Sequence, residues 1–132
     1  MEIGPKDVEK NQVVLVRRDT GEKAFVSQDG LAATIREMLD QMQRDLFQKA
    51  VDFRAGRTYQ IDDYSQFNPI LDGPEAGFLW SHWCGSADCE EKVKKDTKAT
   101  IRCIPLDDKP ESGACIVCGQ ASETRVIFSR AY

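Results

Sequence analysis

The sequence predicts an α/β fold of the α+β kind, built in two parts, and three observations lead there. The first is the β-branched run Val13-Val14-Leu15-Val16, which returns through Lys23-Ala24-Phe25-Val26. Two such runs separated by turn residues read as paired strands. The second is a stripe of apolar residues at spacings of three and four: Leu31, Ile35, Met38, Met42, Leu46, Ala50 and Phe53. That period is one face of a long helix. The third is two close pairs of cysteines set among short strand-like runs in the second half of the chain.

The elements follow in order. Residues 1–3 read as the end of a strand, and Gly4-Pro5-Lys6-Asp7 as a turn. Arg17-Arg18-Asp19-Thr20-Gly21-Glu22 reverses the chain, so residues 13–26 form a hairpin. Ser27 suits an N-cap, with Asp29 in the first turn of a helix that runs to about Ala55 and ends at Gly56. Tyr59 to Ile61 are extended, and residues 63–71 form a short helix with Tyr64, Phe67 and Leu71 on one face. Asp72-Gly73-Pro74 is the internal boundary, which gives domains 1–72 and 73–132. Beyond it, residues 77–83 are a strand leading to Cys84, residues 88–95 a short helix, and residues 100–104 a strand ended by Pro105. Residues 107–114 are a polar loop, and residues 125–128 the last strand. No internal repeat or low-complexity tract interrupts this order.

Cys84 and Cys89 are separated by four residues, Cys115 and Cys118 by two, and 25 residues lie between the pairs. A tetrahedral Zn²⁺ takes four soft donors, and two short loops can each aim two thiolates at one point. Gly85 and Gly119 follow the first and last of these cysteines and permit the sharp turn that each knuckle needs. The spacing therefore predicts a structural zinc site, with no open coordination position for catalysis. Disulfides or reduced thiols that bind nothing are the alternatives, as is a redox Cys-x-x-Cys at Cys115 and Cys118. Redox chemistry is expected where a strand runs into a helix N-terminus; here the pair follows a Pro/Glu/Ser/Gly loop and leads into another strand.

The chain has no apolar run long enough to span a membrane and no signal segment at its start, so the reading is a cytoplasmic, reduced setting in which paired cysteines bind metal. Its 132 residues suffice for one ordinary core or two small ones. Residues 1–58 carry ten Lys/Arg and ten Asp/Glu, whereas residues 59–132 carry eight and twelve. The acidic second half is a poor candidate for non-specific nucleic-acid binding, which leans on phosphate neutralisation. Any such contact belongs to particular residues of the first half.

Ile3-Gly4-Pro5-Lys6-Asp7, Val14-Leu15-Val16-Arg17-Arg18, the two cysteine pairs and the closing Arg130-Ala131-Tyr132 occur in one order. Together they resemble the C-terminal part of prolyl-tRNA synthetases of the archaeal/eukaryotic-like type, over essentially the whole chain. The resemblance implies that residues 1–72 are the remnant of a mixed-sheet class II anticodon-binding domain. It implies that residues 73–132 are the small α/β zinc-binding domain that follows. Strands and helices that open the anticodon domain in the family are missing, as is the catalytic domain with its ATP and Mg²⁺ sites. The chain is thus expected to be inactive alone, with Met1 an introduced start. Its expected partners are proline tRNA and the parent's catalytic domain, and the parent is expected to be a homodimer.

By the same resemblance Lys6 and Asp7 face anticodon guanines, since Asp can accept from guanine N1–H and N2–H₂ and Lys can reach O6, N7 or phosphate. Arg17, Arg18 and Lys23 flank the hairpin turn and are placed to grip backbone phosphate. Tyr132, at the terminus, is implied to approach the parent's active site. Solvated loops are the bland alternative for these charged residues. Trp80 and Trp83 read as packing residues sooner than base-stacking ones, His82 as a bystander to four thiolates, and Cys103 as a buried structural thiol. The competing function is a free-standing zinc-ribbon interaction module. One further expectation concerns the helix stripe: its missing cover leaves the first 55 residues prone to self-association or disorder, unless the 63–71 helix and the strand at 77–83 bury it within the chain.

Overall fold

The computed structural model describes residues 1–106 and 109–131. The chain forms two compact units, Met1–Asp52 and Phe53–Tyr132.

In the first unit the β-branched run becomes β1 (Gln12–Val16), antiparallel to β2 (Lys23–Ser27), with Val14 opposite Phe25. Val13, Val14 and Leu15 are buried. Of residues 1–3, Glu2 alone bridges β1, exchanging two backbone hydrogen bonds with Val14 at 2.9 and 3.0 Å. The predicted turn at Gly4 is instead the start of a short helix, α1 (Pro5–Glu9). Proline at its first position needs no hydrogen-bond donor, and the Asp7 carboxylate accepts from the Gly4 N–H at 2.9 Å, so the turn propagates.

The long helix, α2 (Leu31–Ala55), begins later than Ser27. Ser27 Oγ accepts from the Asp29 N–H and closes a turn, after which Gly30 accepts the first helical bonds from Ala33 and Thr34. The hairpin covers the N-terminal half of the apolar stripe: Met42 is buried, and Ile35 and Met38 are half-buried. Leu39, Leu46 and Phe47 stay 57, 47 and 66 % exposed. A groove of about 470 Å³ runs between Leu15, Val16, Met38, Leu39 and Leu46.

The second unit holds a four-stranded mixed sheet. Its strands are β3 (Thr58–Gln60), β4 (Phe78–His82), β5 (Thr100–Cys103) and β8 (Arg125–Ser129), in spatial order β3-β4-β8-β5. β3 and β4 run parallel, and the remaining neighbours are antiparallel. A parallel pair needs a crossover, supplied here by a 3₁₀ turn (Tyr64–Gln66) and α3 (Phe67–Leu71). The backbone of Gly77 lies so close to the Arg57 carbonyl that no Cβ fits there. α4 (Ala87–Thr97) is capped by Ser86, whose Oγ accepts from the Asp88 N–H. Two short strands, β6 (Gly113–Ala114) and β7 (Ala121–Ser122), pair around the second knuckle.

The core is Ile61, Phe67, Leu71, Leu79, Val93, Ala99, Val126 and Phe128. Residues 53–72 therefore pack with the second unit, although their chain position is before the Asp72-Gly73-Pro74 turn. Cys103 is exposed, contrary to the expectation of a buried thiol. The register of β5 against β8 shifts between Ile101 and Cys103, and this bulge breaks the alternation that would have turned it inward. Tyr132 lies outside the described residues.

Candidate metal centre and nucleic-acid contacts

β4 delivers Cys84 at its end, and α4 presents Cys89 from its first turn. Gly85, at φ 83°, allows the chain to reverse between them. In the second knuckle the Cys115 N–H donates to the Gln120 carbonyl at 2.7 Å and the Gly119 N–H to the Cys115 carbonyl at 2.9 Å. Gly119, at φ 72°, completes that turn. The knuckle is tied to the sheet by the Ile116 N–H, which donates to the His82 carbonyl at 3.0 Å.

All four sulfurs lie within 4.8 Å of one another. The Cys84 sulfur is 3.7 Å from those of Cys89 and Cys118. Disulfide sulfurs sit at about 2.05 Å. A tetrahedron of thiolates with metal–sulfur bonds of about 2.3 Å has edges near 3.8 Å, so the spacing fits a bound metal ion and four separate ligands. Cys89 and Cys115 are buried, Cys84 is half-buried and Cys118 exposed. Burial pushes the Cys89 thiol up to about 12, reinforced by the neighbouring sulfurs. Burial also opposes ionisation of Cys115. There, however, the backbone N–H groups of Cys118, Val117 and Cys84 outweigh it and bring the thiol down to about 7.

His82 stands outside the sulfur cluster. It is buried at 3 % exposure beneath Gly113, whose backbone rests on the ring, and its Nε2 is 3.7 Å from a Glu111 carboxylate oxygen. Trp83 packs against the core and donates its Nε1–H to the Ser86 carbonyl at 3.0 Å. Trp80 lies beneath the Arg125 guanidinium, 5.8 Å from the ring centre.

The residues expected to touch RNA fall into two groups at opposite ends of β1, a strand about 16 Å long by its five residues. Lys6 and Asp7 belong to α1 at one end. Asp7 is not idle: its Oδ1 accepts from Gln12 Nε2 at 3.0 Å and its Oδ2 from the Gly4 N–H. Those bonds, the Gln12 one foremost, hold its carboxyl below the usual range. At the other end Arg17 is locked by Asp19 at 2.6 Å and Asp45 at 2.7 Å, which raises its already high pKa further. Lys6, Arg18 and Lys23 are exposed and have no acidic partner among the described residues. The chain reversal at 17–22 and the carboxylates beside Arg17 are local signals that could have identified that arginine as a turn staple.

Fold and site together define an α/β module in which four cysteines lie close enough together to hold a metal ion. Residues 64–132 match the family described as "Prolyl-tRNA synthetase, C-terminal". Among curated proteins, proline–tRNA ligase of Cytophaga hutchinsonii is 48 % identical over 98 % of this chain and 26 % of its own length. That of Oceanobacillus iheyensis is 43 % identical over 100 % of this chain and 27 % of its own length. The crystal structure of prolyl-tRNA synthetase from Cryptosporidium parvum, complexed with L-proline and AMP, superimposes with a TM-score of 0.89 at 29 % identity, covering 98 % of this chain and 28 % of that one. The chain belongs to the prolyl-tRNA synthetase family, in its C-terminal part. It spans about a quarter of the length of the relatives it matches.

Proposed function

We propose that this chain serves a proline–tRNA ligase, contributing anticodon contacts and a zinc-stabilised support to the ATP-dependent attachment of proline to its tRNA. The observation that carries this is the match to proteins of that name along essentially the whole chain, at 43 and 48 % identity. ATP, Mg²⁺ and proline belong on this reading to a catalytic part that the chain does not include. The partners are proline tRNA, that catalytic part and a second copy of the parent, in the cytoplasm. No helix among the described residues is long and apolar enough to cross a membrane, which accords with this setting.

The metal is Zn²⁺, because four thiolates at tetrahedral spacing, with no further ligand beside them among the described residues, suit a structural zinc site. Residues 1–72 continue an anticodon-binding domain and residues 73–132 form the zinc-binding domain, with Phe67 and Leu71 of the former lending side chains to the core of the latter. We keep the archaeal/eukaryotic-like subtype as part of the proposal, together with an active-site-facing role for Tyr132. A free-standing zinc-ribbon module is not favoured, since both units of the chain align with the relatives.

In the RNA contact, Lys6 supplies the free cation of α1 and Asp7 an acceptor already oriented by Gly4 and Gln12. Arg18 and Lys23 reach phosphate, and Arg17 holds the turn that presents them. The test is made in the full-length ligase with Lys6→Ala and Asp7→Asn. Asparagine at position 7 can still accept from the Gly4 N–H and so spares α1. Charging of proline tRNA is expected to fall while proline-dependent ATP–pyrophosphate exchange holds. Equal losses in both steps would mean that α1 is a structural element.

A further inference from the structure

We infer that Glu111 and Arg125 form a clasp that positions the second cysteine knuckle on the metal. The inference rests on the zinc reading above. Arg125 is 5 % exposed, and its guanidinium meets the Glu111 carboxylate as a two-pronged fork, with Nε donating to Oε2 and Nη2 to Oε1, both at 3.0 Å. Its remaining Nη1 donates to Asp62 at 2.7 Å and, more weakly, to the Trp80 carbonyl at 3.5 Å. A buried guanidinium is costly unless its donors are met, and an apolar residue of similar size would fill such a place at least as well. What the charge adds is a grip on one particular carboxylate.

That carboxylate lies where grip matters. Glu111 stands just before β6, on the segment that leads into Cys115 and Cys118, and its side chain is 49 % exposed, so burial does not hold it there. Its backbone N–H donates to the Glu123 carbonyl at 3.1 Å, on the far side of the same knuckle. Two residues on, Gly113 rests on the His82 ring, and Ile116 is tied to the His82 carbonyl. His82 and Arg125 are directly opposite in the β4–β8 pair. The second knuckle is therefore held in part at one cross-strand pair, at the metal-facing end of the two central strands: by backbone on the His82 side, and by the fork on the Arg125 side. Cys84 leaves β4 two residues beyond His82, so the same pair sets the distance between the two halves of the sulfur cluster. Residues that orient metal ligands from outside the coordination sphere change metal affinity roughly 10–100-fold when removed. Glu111 and Arg125 are positioning residues in this sense.

The test uses the zinc-loaded full chain at 20 °C, with folding of every variant checked by circular dichroism. Transfer of zinc to excess 4-(2-pyridylazo)resorcinol gives the release rate, and timed N-ethylmaleimide labelling read by mass spectrometry gives the order in which cysteines open. Glu111→Ala is expected to release zinc roughly 10-fold faster, with Cys115 and Cys118 labelled before Cys84 and Cys89. Glu111→Gln, which keeps one acceptor for the guanidinium, falls between it and the unaltered chain. Asp62→Asn leaves the fork intact and stays within about twofold of the unaltered chain, a change below the range expected for an orienting partner. A folded Glu111→Ala chain with an unchanged rate overturns the clasp. So does an Asp62→Asn effect as large as that of Glu111→Ala, which would implicate the buried charge alone, or simultaneous labelling of all four ligands. An unaltered chain that takes up no zinc overturns the metal reading and the clasp together, and is recognised before any variant is compared.

Discussion

Replacing Phe67 by alanine asks whether the stretch before the Asp72-Gly73-Pro74 turn is part of the unit that carries the cysteines. Phe67 is fully buried, its ring edge-on to Phe128 at 5.6 Å and tilted against Tyr64 at 5.1 Å. Truncating a buried phenylalanine costs about 3–5 kcal/mol. Two aromatic neighbours, each worth about 0.5–1.5 kcal/mol beyond area, place this site in the upper half of that range. A unit of roughly 80 residues has about 4–12 kcal/mol of its own stability, so the change removes a large share. At about 4–8 °C per kcal/mol the unfolding midpoint should drop by roughly 16–40 °C. Trp80 and Trp83, the two tryptophans of the chain, both lie in this unit, so their fluorescence reports its melting directly. Phe47→Ala is the matched control, because Phe47 is 66 % exposed and belongs to the first unit. A Phe67→Ala drop of less than about 5 °C would correspond to roughly 1 kcal/mol. It would refute the claim that α3 is integral to the core that carries the cysteines.

Two further outcomes are expected. Cys118→Ser should lose bound zinc and the roughly 10–16 kcal/mol that structural zinc sites supply in small peptides, while Cys103→Ser, exposed and outside the cluster, should keep one zinc per chain by metal analysis. Tyr64 is held neutral by burial and then by its hydrogen bond to Asp96, at 3.1 Å, which pushes the phenol up to about 12. A group raised in the folded state stabilises fully below its unfolded value near 10 and loses that contribution as pH climbs toward 12. Ultraviolet titration should therefore show one late tyrosine, which Tyr64→Phe removes.

The parts of the fold legible in the sequence are those fixed by local chemistry. The hairpin follows from two strand-like runs joined by turn residues, α2 from apolar spacings of three and four, and the cysteine pairs from their spacing and the glycines after them. Position 4 misled because proline followed by Lys-Asp serves a turn and a helix start equally; only the Asp7 bond to Gly4 decides between them. The Asp72-Gly73-Pro74 turn marks where the chain reverses, but it carries no information about which core receives Phe67 and Leu71. That depends on β3 running parallel to β4, a long-range pairing. Cys103 turned outward because of a bulge that no residue in its strand announces. The Glu111–Arg125–Asp62 cluster joins positions 14 and 63 residues apart, and in the sequence each reads as an ordinary surface charge. Among the RNA-facing candidates, residue type suggested charge, whereas availability depended on neighbours: Arg17 is engaged, and Arg18 beside it is open.

The strand order also governs how the second unit can be born. β8 is the last of its strands along the chain, yet in space it lies between β4 and β5, which touch each other only through it. As the polypeptide emerges from the ribosome, β4 and the first cysteine pair appear early, but nothing can join them to β5 until β8 follows. Val126 and Phe128, which fill the centre of the core, arrive at the same moment. Assembly of this unit is thus withheld until β8 has been made, with Cys84 and Cys89 waiting as free thiols in the meantime. A ribosome that stalls just short of Arg125 would expose a metal-hungry, unpaired nascent chain, the species most in need of a chaperone.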